Sequence, residues 1–358
     1  MGWLDRFPGR KPAGDPEALA LVSPGDRVEA GGKTWNVTAV LFYHSARAVA
    51  TLVALAVMMA PAPARASCRA SGVPPDAPMA LVLSGGGAKG AYEAGVAAAL
   101  VERGLPIRLV AGSSAGALNA AMIASGRADR LEALWRTVTR EQVYTLRGPV
   151  IFAGFLPGWL TLLVLNETSA LFDPAPLRDL IGASVDLDRL RDSPIRLVVT
   201  ATDLVRGEKR IFDNRTVTVD TLMAASAVPG LFPPVEVDGA LLVDGGMTGR
   251  APVLEALEAD PTLGRAVVVL SYAQAERSPE PTTMRRALEA SFELVMVHQI
   301  RRDTELARLR APNVDVQLLT PSAPMLLRPL DFDRDAMARL LALGRADAFA
   351  CLEAWARK

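Results

Sequence analysis

Beyond residue 78, the hydrophobic positions fall into short apolar runs that alternate with longer helical patterns. The first run, MALVL, leads into a glycine-rich turn and the helix-like segment GAYEAGVAAALVERG. The unit then repeats, because PIRLV is followed by a small-residue turn and by ALNAAMIASG. Short apolar runs bounded by turns indicate strands, and their alternation with helices indicates a mostly parallel sheet. We therefore expect an α/β fold, a three-layer α/β/α arrangement around a central, mostly parallel sheet.

The later apolar runs extend this pattern along the chain. PIRLVVTATDL, GALLVDGG and RAVVVLSYA are each typical of a strand, whereas residues 283–310 and 333–357 are helical in pattern. We assign residues 77–358 to one domain, with core motifs at 81–255 and a helical C-terminal part at 283–358.

Two segments precede this domain. Residues 1–46 are polar and form an N-terminal appendage of unknown role, in which a β-hairpin across residues 31–32 is predicted. Residues 47–68 have the layout of a signal peptide, because an arginine precedes an apolar stretch and an A-x-A sequence stands at residues 64–66. Since 46 residues come first, we describe the segment as signal-peptide-like or as a membrane anchor. A helix of the globular part is the alternative.

The location of the protein depends on this segment. If residues 47–66 act as a signal or anchor, we expect a membrane-associated or exported protein, periplasmic or at the outer face; otherwise we expect a cytoplasmic one. Cys68 follows the segment as a lipoprotein cysteine would, although Arg65 stands where such signals have an aliphatic residue.

A second apolar segment, residues 149–166, carries no charge but is interrupted at residues 157–158 by Pro-Gly. This predicts either a buried segment or a lipid-facing flap. The flap would present Phe152, Phe155, Leu156 and Trp159.

Composition excludes several classes of function. The 39 basic and 39 acidic residues balance, which argues against nucleic acid as a partner because such proteins carry a basic excess. Two cysteines cannot build a disulfide framework and show no spacing typical of zinc. With two histidines, His44 and His298, a metal site or a Ser-His-Asp triad has few residues to use. We expect neither a metal nor a cofactor.

The glycine-rich turn SGGGAKG contains G-x-G-x-x-G at Gly85, Gly87 and Gly90. A dinucleotide site would need an acidic residue at the end of the next strand, where AGSS stands. A P-loop would need Ser or Thr after Lys89, where Gly90 stands. Consecutive glycines at a helix N-terminus expose N–H groups to negative charge, which is what an oxyanion hole requires. A tight turn without a ligand is the alternative.

The sequence GSSAG at residues 112–116 fits G-x-S-x-G, with Ser114 at its centre. Between a strand and a helix, this motif holds a serine hydroxyl out over the end of a sheet, as a nucleophile. Ser113 would point elsewhere and is interpreted as structural. The motif is common, so an ordinary small-residue turn remains the alternative.

The sequence offers no suitable histidine as the base for this serine. A triad histidine should come from a loop after the serine, but His298 lies in a helical pattern and His44 lies in the appendage. Asp244 ends the run GALLVD before two glycines, and it could take the proton directly if burial raised its pKa. An ordinary Asp-Gly turn is the alternative.

Together and in this order, the glycine-rich turn, GSSAG and DGG resemble the motifs of the patatin-like phospholipase family. The stretches TATDL and AASAVPGLFPPVEVDGALLVDGG also resemble that family, so the likeness covers about residues 77–255 well. One departure is visible, because Ala251 precedes Pro252 where family members often have Asn. That departure affects a local turn contact rather than the motif residues.

The resemblance implies a serine acyl hydrolase with a Ser-Asp dyad. Ser114 would be the nucleophile, Asp244 the proton acceptor, and the turn Gly85-Gly86-Gly87 the oxyanion hole. The further motif glycines are Gly90, Gly112, Gly116, Gly245 and Gly246.

Such an enzyme, of phospholipase A type, would cleave fatty-acyl esters of phospholipids or related lipids at a membrane surface, through an acyl-enzyme. A catalytically inactive lipid-binding protein on the same fold is the alternative, and a nucleotide-binding oxidoreductase is disfavoured by the missing ribose-binding acid. The sequence does not indicate an oligomeric state.

Overall fold

The computed structural model describes residues 27–30, 33–37, 59–61, 68–74, 76–153, 156, 160, 167–272 and 281–356. The chain divides into two compact units, Met1–Ala64 and Arg65–Lys358.

The first unit contains a three-stranded antiparallel sheet of β1 (Arg27–Ala30), β2 (Lys33–Val37) and β3 (Met59–Pro61). Ala30 pairs with Lys33, so the predicted hairpin is confirmed. Strand β3 falls within the signal-like segment 47–68, and the rest of that segment before Cys68 lies outside the described residues.

The second unit is built on an eight-stranded sheet. The described strands of this unit, including two outside that sheet, follow in chain order as β4 (Met79–Leu83), β5 (Ile107–Gly112), β6 (Thr145–Leu146), β7 (Phe172–Asp173), β8 (Arg196–Asp203), β9 (Glu208–Phe212), β10 (Val235–Val237), β11 (Ala240–Asp244), β12 (Arg265–Val269) and β13 (Asp315–Leu319). The spatial order is β10-β11-β8-β5-β4-β12-β13, with β9 also paired to β8 and with β6–β7 forming a separate pair. Strands β8, β5, β4, β12 and β13 are parallel, whereas β9, β10 and β11 pair in antiparallel fashion.

Helices cover both faces of this sheet. They are α1 (Gly90–Glu102), α2 (Ala115–Ala124), α3 (Ala128–Thr137), α4 (Gly148–Ala153), α5 (Ala175–Ser184), α6 (Leu187–Arg191), α7 (Val219–Ala225), α8 (Val253–Ala259), α9 (Met284–Arg310) and α10 (Arg334–Ala356). The last two confirm the helical patterns that the sequence predicted near the C-terminus.

Strand β4 explains the layered arrangement, because all five of its residues are buried. Met79, Leu81 and Leu83 enter a core shared with α1, α2, α3 and α10, whereas Ala80 and Val82 enter a second core shared with α8 and α9. Successive side chains of a strand point to opposite faces, so a strand covered on both sides must be apolar throughout. The expected three-layer α/β/α fold with a mostly parallel sheet is confirmed.

The apolar segment 149–166 is described in part. Helix α4 ends within it, Ile151 is exposed, and Leu156 and Leu160 are partly buried. Phe152 lies in α4, whereas Phe155 and Trp159 lie outside the described residues, so the choice between buried segment and lipid-facing flap stays a prediction. Among the helices that the structure describes, none combines the length and apolar character needed to cross a membrane.

A disulfide joins Cys68 to Cys351 in α10 across a sequence separation of 283 residues. No local sequence pattern predicted this disulfide, because neither cysteine has another cysteine near it in the sequence. Since the sulfur of Cys68 is used in this bond, the lipoprotein interpretation of Cys68 is excluded in this structure.

Candidate active site

The glycine-rich turn and the GSSAG turn meet because their strands are neighbours. Strands β4 and β5 are parallel, with Leu83 paired to Gly112, so both chains leave the sheet at the same edge. The first then enters the turn at Gly85, and the second enters the turn at Ser114. Carboxyl ends of adjacent parallel strands are where α/β folds place their sites.

Asp244 reaches the same edge from an antiparallel strand. Strand β8 pairs with β5 up to Val199, which lies opposite Gly112, but it continues to Asp203. Strand β11 runs back along this extension and ends at Asp244, opposite Ala201. The returning strand therefore delivers the carboxylate just beyond the end of β5.

Ser114 occupies an unusual backbone conformation at the N-cap of α2, with φ 55° and ψ −139°. Positive φ values are uncommon for residues other than glycine, and they persist where surrounding contacts enforce them. The Ser114 N–H donates to the Ala225 carbonyl at 2.8 Å, and the side chain stands at the positive end of α2. Its exposed fraction is 6%.

Two glycines allow the turns to touch. A Cβ on Gly85, where φ is 73°, would lie 2.9 Å from the Ser114 Cβ and 2.6 Å from the Ser113 carbonyl oxygen. A Cβ on Gly116 would lie 2.8 Å from the Gly85 nitrogen. The other motif glycines also pack closely on neighbouring atoms; they are Gly90, Gly112, Gly245 and Gly246.

Asp244 is a buried carboxylate with one oxygen free. Oδ1 accepts the Gly246 N–H at 2.7 Å, and among the described residues Oδ2 has no hydrogen-bond partner. Burial raises the pKa of Asp244, against the opposing effects of the Arg250 charge, the Gly246 N–H and the Ser114 hydroxyl. The Ser114 hydroxyl is thus close enough to affect the Asp244 carboxyl, although Oδ2 has no hydrogen-bond partner among the described residues.

The C-terminal end of α7 and the residues that follow it bind the backbones of these two residues. The Ala225 carbonyl accepts the Ser114 N–H, and the Ala227 carbonyl accepts the Asp244 N–H at 2.9 Å. One short segment therefore binds the backbones of both residues. The sequence showed AASAVPG only as part of a family-like stretch, without this role.

The N–H groups of the glycine-rich turn are not equivalent. Gly85 donates to the Glu93 carboxylate at 2.7 Å, so its N–H is already used. Within the described residues, no acceptor is recorded for the N–H of Gly86, Gly87 or Ala115. Ala115 follows the candidate nucleophile, a position that supplies an oxyanion donor in α/β hydrolases, and G-x-S-x-G could have pointed to it.

Glu93 lies beneath the turn in a buried polar network. Its Oε1 accepts hydrogen bonds from Gly85 N–H, Ser84 Oγ and Ser271 Oγ, and its Oε2 accepts one from Asn119. Burial raises the pKa of Glu93 to about 7, although these hydrogen bonds and the Arg250 charge lower it. No sequence pattern distinguished Glu93, because an acid in the first turn of a helix is ordinary.

The remaining candidates lie apart from this constellation. His298 is exposed on α9, and His44 lies outside the described residues. In the described part of the chain, no group of three or more His, Cys, Asp or Glu residues is placed to hold a metal ion. The Ser113 hydroxyl donates to the Arg250 carbonyl at 2.7 Å.

Several known proteins are similar to this chain. Residues 81–257 match the family model described as Patatin-like phospholipase. An uncharacterized NTE family protein of Mycobacterium tuberculosis is 36% identical over 194 residues, which are 54% of this chain and 48% of that protein. The cGAMP-activated phospholipase of Pseudomonas aeruginosa is 31% identical over 194 residues, 49% of this chain and 54% of that protein. The structure of VipD from Legionella pneumophila aligns with a TM-score of 0.45 at 16% identity, covering 83% of this chain and 72% of that one.

The chain spans about half the length of the curated relatives it matches. The matched region contains both turns, Ser114 and the strand that ends at Asp244. The resemblance predicted from the motifs is confirmed, because residues 81–257 match the Patatin-like phospholipase family model.

Proposed function

We propose that this protein is a serine acyl hydrolase of phospholipase A type, which cleaves fatty-acyl esters of phospholipids or related lipids through Ser114 and Asp244. The observation that carries the proposal is the pairing of a strained Ser114 with a buried Asp244 whose Oδ2 has no other partner. Relatives named phospholipase and lysophospholipase support the same class of reaction.

In this mechanism Asp244 Oδ2 accepts the Ser114 proton as Oγ attacks the ester carbonyl carbon. The developing oxyanion receives hydrogen bonds from the open N–H groups of Gly86, Gly87 and Ala115, each worth about 3 kcal/mol. Asp244 returns the proton to the departing alcohol, which leaves a lysolipid and an acyl-enzyme on Ser114. Water then loses a proton to Asp244 and attacks the acyl carbonyl carbon. Asp244 passes this proton to Ser114 Oγ as the acyl bond breaks and the fatty acid leaves.

The raised pKa of Asp244 suits this role. A carboxylate at its ordinary pKa is a weak base toward a hydroxyl, and burial brings its basicity closer to the working pH. Gly85 is assigned a different part, because its N–H is held by Glu93 and fixes the shape of the turn.

The test uses a fluorophosphonate probe and a short-chain phospholipid. Wild type should be labelled at Ser114 and should release fatty acid, whereas Ser114→Ala should lose both properties. Asp244→Asn should lose at least about 1,000-fold in kcat, the scale of losing a proton acceptor in such a unit. Ser113→Ala is the neighbouring-serine control and should still be labelled at Ser114. Near wild-type turnover by purified Ser114→Ala would contradict the dyad.

A lipid-binding protein without activity is the second candidate, favoured by the exposed apolar side chains of Leu146, Ile151 and Leu171 around α4 and the β6–β7 pair. These would rest on a membrane surface in either case. Phospholipid vesicles that bind wild-type protein, with no probe labelling and no fatty acid release, would favour this candidate.

We also propose that the domain matures in an oxidising compartment. Structural disulfides persist outside the reducing cytosol, and the Cys68–Cys351 bond begins at the last residue of the signal-like segment. Mass spectrometry of the protein from fractionated cells should find a new N-terminus near Ser67 and no alkylatable thiol. Recovery of full-length, reduced protein from the cytoplasm would contradict export.

A further inference from the structure

Arg250 is a buried cation beside the glycine-rich turn, with an exposed fraction of 5%. Its Nε donates to the Ser84 carbonyl at 2.9 Å, and its own carbonyl accepts the Ser113 hydroxyl at 2.7 Å. These two hydrogen bonds join it to both turns of the candidate site. The guanidinium is therefore held in place before any ligand arrives.

The outer end of this guanidinium has no protein partner. Among the described residues, neither terminal nitrogen of Arg250 donates a hydrogen bond, and no carboxylate lies within ion-pair distance. Neither terminal nitrogen is among the buried polar atoms that lack a hydrogen-bond partner, so both nitrogens remain in contact with solvent. Its charge lowers the pKa of Asp244 and Glu93 without forming a contact pair with either. A buried guanidinium whose two terminal nitrogens have no acceptor is costly, and an anion would supply the missing acceptors.

The surroundings of Arg250 also favour an anion. Its Nη2 lies 3.6 Å from the position that a Cβ would occupy on Gly86, whose N–H is open. The Tyr272 ring has Lys89 Nζ 4.2 Å and Arg250 Cζ 6.0 Å from its centroid. Lys89 is neutralised by Glu293 at 3.2 Å, which leaves Arg250 as the unpaired charge of this cluster.

We propose that Arg250 binds the phosphate of the substrate and makes the site selective for glycerophosphate esters over neutral glycerides. The planar guanidinium can present two parallel N–H donors to two phosphate oxygens, with Nε remaining on Ser84. The proposal rests on the proposed function, because it places the phosphate next to the turn that receives the ester carbonyl.

The first experiment compares two substrates that differ in the phosphate group, dihexanoyl phosphatidic acid and dihexanoyl glycerol, both below their aggregation limits. In Arg250→Gln, the ratio of kcat/KM for the phosphate ester to that for the neutral ester should fall by about 10- to 100-fold, as for the loss of a charge-assisted hydrogen bond. Arg250→Lys keeps the charge and should recover part of the ratio. Arg310→Gln, at the exposed end of α9, is the matched control for loss of one positive charge.

The second experiment needs no catalysis. Glycerol 3-phosphate, at constant ionic strength, should raise the unfolding temperature of wild type and Arg310→Gln, whereas glycerol should not. In Arg250→Gln this difference should disappear. The same melts report whether the variant is folded, and Arg250→Lys serves if Arg250→Gln is not.

The outcomes separate the two proposals. If both substrates lose activity equally in the variants, Arg250 supports the turn or the oxyanion and the phosphate proposal is overturned. If wild type hydrolyses neither ester but glycerol 3-phosphate still stabilises it through Arg250, the anion site stands and the hydrolase proposal fails. If glycerol 3-phosphate stabilises wild type and Arg250→Gln alike, Arg250 does not bind phosphate.

Discussion

The Glu93→Gln substitution tests the buried network under the glycine-rich turn. Burial raises the pKa of Glu93 from 4.5 to about 7 in the folded protein. Below pH 4.5 the side chain is protonated in both states; between the two values the unfolded chain releases its proton first, so stability falls as pH rises. One pKa unit corresponds to about 1.4 kcal/mol, so the gap costs wild type about 3 kcal/mol by the time pH passes the folded-state pKa.

Glutamine does not titrate, and its oxygen can still accept the Gly85 N–H. Wild type and Glu93→Gln would be unfolded with urea at several pH values from 4.5 to 8. The free energy of unfolding of wild type should fall by about 3 kcal/mol relative to the variant across this range, since the other titrating groups cancel in the comparison. Glu258→Gln, exposed on α8, is the matched control for removal of a carboxylate. A wild-type minus Glu93→Gln difference that stays flat with pH would refute the burial argument.

Three further results are expected. The rate of hydrolysis of a neutral ester should rise with pH through an apparent pKa above the ordinary value of 3.8. Asp244 must be ionised to accept a proton, and burial raises its pKa. A rate independent of pH would exclude Asp244 as the base. Gly85→Ala should lower kcat at least about tenfold, because the added Cβ would press against Ser114. Gly104→Ala is the control: its φ is similar, at 66°, but no atom lies within contact distance of the added Cβ, so this variant should keep its kcat and lose only some stability. Equal losses of kcat in the two variants would show that the contact with Ser114 does not matter. Reduction of the disulfide should lower the free energy of unfolding by about 2 to 5 kcal/mol, and Cys351→Ser should be equally destabilised and insensitive to reductant; unchanged melting on reduction would argue against a structural role.

Features that depend on residues adjacent in the sequence could be predicted from the sequence. The strands follow from apolar runs, and the turns follow from glycines next to them, so the motifs around Ser114 and the layered fold were readable. The position of Asp244 needed more, because it depends on β8 extending past β5 and on β11 returning along that extension. Strand register of this kind is not encoded in any one segment.

The contacts that complete the site are long-range. Arg250 meets Ser84 across 166 positions, and Glu93 meets Ser271 across 178 positions. Nothing beside either charged residue distinguishes it from a solvated one, since burial is created by elements that arrive from far along the chain. The occupied N–H of Gly85 was hidden for the same reason, because its acceptor was not recognised.

The disulfide turns the stretch from Cys68 to Cys351 into a covalent ring that contains both turns, Asp244 and Arg250. A single proteolytic cut inside this ring, for example in an exposed loop, would leave two fragments that remain linked and able to stay docked through the sheet. Separation would require both a cut and reduction. The ring thus gives the domain tolerance to nicking that depends on topology, independently of how tightly its core is packed.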